Sequence, residues 1–116
     1  MPKNINIKSV AVIGAGVMGA QLAALFANKG IKSYLYDITT DTSILGKNRL
    51  KIIKPPPLEQ PENIELIQAC GLDKDIHKIK KVDWIIEAVP EKIEIKIEVF
   101  KKVSPFINKG AILSSN

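Results

Sequence analysis

The chain has 116 residues, 46% hydrophobic and 25% charged, and this balance excludes wholesale disorder and leaves room for one domain. The formal net charge is +5, but the lysines are scattered and aromatic residues are few, so we expect no nucleic-acid partner. No apolar run approaches a membrane span, no targeting pattern opens the chain, and Cys70 is the single cysteine, so we expect a cytoplasmic protein without a membrane span.

Strands and helices alternate in the first third of the chain. Residues 8–13 are a short, β-branched apolar run, which predicts a buried strand. Residues 17–29 carry apolar and small side chains at helical spacing, and Gly30 predicts the end of that helix. Residues 32–37 predict a second strand that ends in a carboxylate.

The middle of the chain is less regular. A second helix is predicted over residues 41–53, capped near Asp41 or Thr42. Three prolines follow it, and Pro61 argues against a helix over residues 58–63, which we expect to form an ordered loop. A short third strand is predicted around residues 64–70.

The last third returns to the alternation. Residues 73–81 predict one or two helical turns, residues 82–89 a buried strand, and residues 111–115 a final apolar strand. Residues 93–99 alternate apolar and charged side chains, which favours a strand. Acidic residues at the start of this segment favour a helix instead, and we predict a helix with apolar residues at i, i+4 and i+7.

The apolar set of that helix is Ile93, Ile97 and Phe100. The whole order of elements predicts an α/β fold, a Rossmann-type doubly wound parallel sheet in three layers, formed by a single domain over residues 1–116. The chain stops just past a predicted strand with no covering helix after it, so we expect it to be part of a longer protein.

A glycine motif joins the first strand to the first helix. Gly14, Gly16 and Gly19 fit the pattern G-x-G-x-x-G, in which the glycines allow a sharp turn, close approach of a pyrophosphate and tight packing of the helix on the sheet. The N-terminus of the helix would direct N–H groups at the phosphates. A purely structural glycine turn is the alternative.

Asp37 lies 18 residues after Gly19, at the end of the second predicted strand. A carboxylate there accepts hydrogen bonds from the adenosine ribose and repels a 2′-phosphate, which predicts NAD rather than NADP as cofactor. Alternatively, Asp37 only caps the next helix.

Several segments together resemble one known family. The segments VAVIGAGVMGAQLAALFANKGI, LYDI, DWIIEAVPEKIEIKIEVFKKV and GAILSSN are similar to the N-terminal NAD-binding domain of the 3-hydroxyacyl-CoA dehydrogenases of fatty-acid β-oxidation. The segment LKIIKPPPLEQPENIELIQACGLD further resembles the variant in multifunctional chains that also carry an enoyl-CoA hydratase-like part.

The resemblance implies a set of cofactor contacts and a reaction, the oxidation of 3-hydroxyacyl-CoA to 3-oxoacyl-CoA. The implied contacts are Gly14, Ala15, Gly16, Val17, Met18, Gly19, Asp37, Ala88, Val89, Pro90, Glu91, Lys96 and Asn116. It also implies that the catalytic histidine and glutamate, the helical C-terminal domain and the dimer contacts lie beyond Asn116, so we expect this chain alone to be inactive and the parent protein to be a homo-oligomer. His77 precedes the DWII strand, so we expect a surface histidine there.

Three lysines are candidates for binding the substrate. Lys47, Lys51 and Lys54 fall at i, i+4 and i+7 of the second predicted helix and could meet the phosphates of coenzyme A, although a solvated lysine face is the ordinary alternative. Two other functions stay open: the cofactor domain of another hydroxy-acid dehydrogenase, and a module that senses NADH without catalysis.

Overall fold

Five parallel strands form one sheet in a computed structural model that describes residues 7–89 and 92–115. In chain order the strands are β1 (Ser9–Ile13), β2 (Lys32–Asp37), β3 (Ile67–Gly71), β4 (Trp84–Glu87) and β5 (Ile112–Ser115). Their order across the sheet is β3-β2-β1-β4-β5. The strands β2 and β3 therefore lie on one side of β1, and β4 and β5 lie on the other side. This arrangement confirms the predicted doubly wound fold.

Helices cover both faces of the sheet. They are α1 (Val17–Asn28), α2 (Thr40–Arg49) and α3 (Ile93–Val103), and short 3₁₀ helices span Pro61–Leu66, Ile76–Lys81 and Ser104–Phe106. Because right-handed crossovers that run in opposite directions along a sheet lie on opposite faces, α1 and α2 share one face and α3 lies on the other.

The core has two layers, one on each face of the sheet. On the α1 face, Val10, Val12 and Leu35 pack against the small side chains of α1. On the α3 face, Ala11, Ile13 and Ile85 are packed with Val99 and Val103 of α3. Since β1 is buried on both faces, it reads in the sequence as a continuous apolar run.

Alanines let α1 approach the sheet closely. Ala20, Ala23, Ala24 and Ala27 are fully or almost fully buried. The hydroxyl of Ser33 on β2 donates a hydrogen bond to the carbonyl oxygen of Ala23 at 3.2 Å, which joins the helix to the strand through a polar contact. Gly30 ends the helix region with a φ of 78°, as predicted.

The second helix differs from its prediction at both ends. Its cap is Thr39, whose hydroxyl accepts a hydrogen bond from the N–H of Thr42, and not Asp41 or Thr42. The helix ends at Arg49 instead of residue 53, and the chain turns at the buried Leu50 before it reaches the prolines. Lys51 and Lys54 consequently lie beyond α2, so the predicted lysine face of a single helix is wrong.

The segment around Pro61 also differs. Residues Pro61–Leu66 form a 3₁₀ helix where a loop and the start of a strand were predicted. Proline is compatible with the first position of a helix, where its missing N–H has no partner to lose. The third strand therefore begins at Ile67 and pairs with β2, with Tyr36 opposite Cys70 and Asp37 opposite Gly71.

The segment after β4 is a helix, as predicted, but its buried residues are not Ile97 and Phe100 of the apolar set that indicated the helix. Val99 and Val103 are buried and Ile95 packs against them, whereas Ile97 is 48% and Phe100 46% exposed. The strand before it, β4, is shorter than predicted and spans only four residues.

Candidate functional site

The glycine loop lies at the carboxyl end of β1, at the point where the strand order reverses. Gly14 has a φ of 114°, and a Cβ atom there would lie 2.6 Å from the carbonyl oxygen of Ala88. A Cβ atom on Gly19 would overlap the carbonyl oxygen of Gly14. Both positions therefore require glycine for packing reasons alone.

Gly16 is different, because a Cβ atom on it would meet no atom within 4 Å. It is the N-cap of α1, it supplies no side-chain cap, and no acidic residue occupies the first turn of the helix. The positive end of the helix therefore faces open space, where an anion such as a pyrophosphate fits. The structure brings the three glycines together in the arrangement that the motif predicts.

Asp37 closes the other side of this loop. Its Oδ2 accepts a hydrogen bond from the N–H of Ala15 at 2.8 Å, and its Oδ1 accepts one from the N–H of Ile38 at 2.7 Å. The alternative that Asp37 caps α2 is excluded by the cap at Thr39. A carboxylate has about four acceptor positions, so two remain for the hydroxyl groups of a ribose.

An apolar slot of about 190 Å³ opens next to Asp37. Its lining consists of Ile13, Gly14, Asp37, Ile38, Leu72, Val89, Ile95 and Val99. The carboxylate stands at the edge of a pocket whose other side chains are aliphatic, which suits an aromatic base attached to a ribose. These residues fit the adenosine end of a dinucleotide.

A second set of side chains meets on the other side of the reversal point, where β4 and β5 end. Glu87 is 7% exposed, and its Oε2 accepts a hydrogen bond from the N–H of Val89 at 2.8 Å. The hydroxyl of Ser115 donates to Oε1 at 2.9 Å, and Nζ of Lys96 lies 3.6 Å from the same oxygen. A groove of about 400 Å³ runs from this cluster between α3 and β5.

Sequence reasoning identified Lys96 but missed Glu87 and Ser115. A signal for Glu87 was present, since it is a carboxylate at the end of a buried strand, as Asp37 is. Nothing in the sequence predicted that Ser115 faces Glu87, because that contact depends on the pairing of β4 with β5.

The remaining predicted cofactor contacts fall into two groups. Val17 and Met18 are exposed beside the glycine loop, Ala15 is buried, and Ala88 and Val89 are partly buried next to Gly14. Pro90, Glu91 and Asn116 lie outside the described residues, so their predicted contacts stay predictions.

Lys47, one of the three lysines predicted to bind coenzyme A, does not lie at this edge of the sheet. Burial, together with the positive charges of Lys32 and Lys51, lowers the pKa of Lys47, against the opposing effect of Glu65. Lys32 begins β2, so Lys47 belongs to the opposite end of the strand from Asp37. The contact of Lys47, Lys51 and Lys54 with coenzyme A stays a prediction.

Cys70 and His77 are unsuited to chemistry at this site. Cys70 is fully buried, and burial raises the pKa of its thiol to about 11. His77 is exposed on a 3₁₀ helix, as predicted. Among residues 7–89 and 92–115, no group of three or more metal-ligating side chains comes together, and no helix is long and apolar enough to cross a membrane.

Comparison with known proteins identifies the family. The sequence model described as "3-hydroxyacyl-CoA dehydrogenase, NAD binding domain" matches residues 9–116. The chain belongs to this family. The resemblance drawn from the motifs is thereby confirmed, and so is NAD as the cofactor.

Individual 3-hydroxyacyl-CoA dehydrogenase relatives agree with this assignment. A protein of Deinococcus radiodurans named "Probable 3-hydroxyacyl-CoA dehydrogenase" is 40% identical over 119 residues, which cover 97% of this chain and 34% of that protein. The crystal structure of 3-hydroxybutyryl-CoA dehydrogenase from Escherichia coli K12 is 27% identical with a TM-score of 0.77, covering 97% of this chain and 25% of that one. The structure of a diketoreductase matches with a TM-score of 0.80 and 27% identity, over 97% of this chain and 42% of its own. The chain thus spans about a third of the Deinococcus protein's length.

Proposed function

We propose that this chain is the cofactor-binding part of an enzyme that oxidises 3-hydroxyacyl-CoA to 3-oxoacyl-CoA in fatty-acid β-oxidation. The observation that carries the proposal is the contact of Asp37 with the N–H of Ala15 at 2.8 Å, beside an apolar slot and a helix whose N-cap residue, Gly16, supplies no side-chain cap. Family membership supports the choice of reaction. We further propose a cytoplasmic location and a homo-oligomeric parent protein whose catalytic residues follow Asn116.

The described residues account for binding and orientation of the cofactor. The N-terminus of α1 and the backbone around Gly16 receive the pyrophosphate, and Asp37 receives the adenosine ribose. NAD, when bound, supplies the hydride acceptor for the alcohol carbon of the substrate. The adenosine lies on the β2 side, so the nicotinamide lies over the ends of β4 and β5.

The remaining contacts of the proposed site lie on the nicotinamide side. Ala88 and Val89 leave β4 beside Gly14 and would line the crevice between the two halves of the cofactor. Glu91, Lys96 and Asn116 would reach the nicotinamide and its ribose.

Calorimetry with the 116-residue chain tests the proposal. We expect NADH to bind at least about tenfold more tightly than NADPH, because the 2′-phosphate of NADPH would lie against the Asp37 carboxylate. Acetoacetyl-CoA reduction by the same sample should stay at background. Equal affinity for the two cofactors, or no binding of NADH at millimolar concentration by a folded sample, would contradict the cofactor assignment.

A further inference from the structure

Glu87 carries a charge that its hydrogen bonds do not require. A glutamine in its place could accept the N–H of Val89 with its amide oxygen and donate its N–H to the hydroxyl of Ser115. Both hydrogen bonds would persist, and the cost of burying a carboxylate would disappear. The negative charge itself is used by only one described neighbour, the ammonium group of Lys96.

The described residues contain one other ion pair, between Lys78 and Asp75, which are three positions apart in sequence and whose side chains are both 24% exposed. In the Glu87–Lys96 pair, the Lys96 side chain is also 24% exposed, but the Glu87 side chain is only 10% exposed. A pair with one desolvated member acts at longer range on nearby charges than a solvated pair, because water screens it less.

The position of the pair relates it to the cofactor. β1 separates β2 from β4, so the ends of β2 and β4 are about 10 Å apart across the sheet. Asp37 ends β2, at the adenosine end of the proposed site, and Glu87 ends β4 beyond the glycine loop. The nicotinamide of a dinucleotide that begins at Asp37 consequently lies near Glu87, Lys96 and the groove beside them.

We propose that the charges of Glu87 and Lys96 act in opposite directions on the preference of this site for the oxidised over the reduced cofactor, so that the pair holds the ratio of the two affinities in balance. This inference rests on the proposed function, since it requires NAD in the crevice. The nicotinamide ring of NAD⁺ carries a positive charge and that of NADH carries none. A buried carboxylate therefore favours NAD⁺, the neighbouring ammonium opposes it, and removal of either charge shifts the ratio of the two affinities.

The decisive variant is Glu87→Gln, which removes the charge and retains both hydrogen bonds. We expect its affinity for NAD⁺ to fall about threefold to tenfold more than its affinity for NADH, because Lys96 is left unbalanced. The affinity for ADP-ribose, which has no nicotinamide, should change by less than about twofold. Isothermal calorimetry with the three ligands measures all of these values.

A second variant covers the case in which Glu87→Gln does not fold. Lys96→Met leaves the carboxylate in place without its counter-charge, and it should shift the affinity ratio in the opposite direction, toward NAD⁺. The double variant Glu87→Gln with Lys96→Met should return the ratio close to that of the unsubstituted chain. Glu98→Gln is the matched control, because Glu98 is exposed on α3 and should leave the ratio unchanged.

Two results would overturn the inference. An unchanged NAD⁺ to NADH ratio in both single variants would mean that the pair does not act on the nicotinamide charge. An equal loss of affinity for NAD⁺, NADH and ADP-ribose would mean that Glu87 only supports the fold. If the unsubstituted chain binds none of the three ligands, the proposed function itself fails, and this outcome is distinct from the other two.

Discussion

The two sides of the carboxyl edge of the sheet are built in different ways. On the β1–β2 side, the candidate site consists mainly of backbone, namely the glycine loop and the N-terminus of α1. Among the described residues, its one charged side chain is Asp37, whose carboxylate accepts hydrogen bonds from two main-chain N–H groups. On the β4–β5 side it consists of side chains, where Glu87 joins Val89, Ser115 and Lys96.

The difference has a physical reason. A pyrophosphate is bound well by backbone N–H groups, which side-chain substitutions other than proline leave in place, whereas the proposed nicotinamide, whose ring differs in charge between its two oxidation states, would be matched by side-chain charges. Substitutions should therefore act on the first side mainly through backbone geometry and on the second side mainly through electrostatics.

The largest effect on the backbone side should come from Gly19→Ala. Its added methyl group would overlap the carbonyl oxygen of Gly14, so α1 could not keep its place on the sheet. We expect a loss of more than about 3 kcal/mol in the free energy of unfolding and no measurable NADH binding. Thermal denaturation and calorimetry report the two quantities separately.

Gly16→Ala is the matched variant, because its methyl group would meet no protein atom within 4 Å. Its stability should change by less than about 0.5 kcal/mol, while NADH binding should weaken at least about tenfold, since the methyl group would fill the space proposed for the pyrophosphate. Gly110→Ala, equally free of contacts, should change neither quantity. NADH affinity that is unchanged in Gly16→Ala would contradict the position assigned to the phosphates.

An intermediate effect is expected for Asp37→Ala. Removal of the carboxylate takes away the proposed ribose acceptor and the contact with Ala15, and NADH affinity should fall roughly 10- to 100-fold. Discrimination against NADPH should decrease in the same variant, as measured by calorimetry with both cofactors.

Asp83→Ala provides the control for this substitution. Asp83 also accepts two main-chain N–H groups, from Lys8 at 2.8 Å and Ser9 at 3.3 Å, but it lies at the opposite edge of the sheet. Its loss should reduce stability without changing NADH affinity. A similar loss of affinity in both variants would show that Asp37 acts through stability alone.

The smallest expected effect is a loss of stability at high pH. It concerns Cys70 on β3, the strand that pairs with β2. Burial raises the pKa of the Cys70 thiol from its ordinary value of 9.0 to about 11 in the folded chain. The folded state therefore holds this proton more tightly, and its contribution to stability is present below about pH 9 and is lost as pH rises toward 11.

At pH 9.5 the expected loss is about 1 kcal/mol relative to neutral pH, as measured by urea denaturation. Cys70→Ala should remove this dependence below pH 10. Burial also raises the pKa of Tyr36, so a further decline above pH 10 should persist in the variant. A flat profile for the unsubstituted chain between pH 8 and 10 would contradict the burial of the thiol.

Much of the fold and half of the candidate site could be predicted from the sequence, for a local reason. The strand before Gly14, the spacing of the three glycines and the carboxylate of Asp37 are each features of a few consecutive residues. Their geometry follows from turn and helix rules that need no knowledge of the rest of the chain. The order of elements then restricted the topology, because parallel strands require right-handed crossovers.

Tertiary structure alone decided the other features. The sheet beneath α3 decides which face of this helix is buried. Val99 and Val103 are buried, whereas Ile97 and Phe100 are exposed, although both pairs have a spacing that would place them on one face of a helix. The start of β3 was set by its pairing with β2. Glu87 meets Ser115 across 28 residues of sequence because β4 pairs with β5 in a register that only the assembled sheet defines. A short motif can specify a backbone cradle, whereas a cluster of side chains from separate strands requires the fold that brings them together.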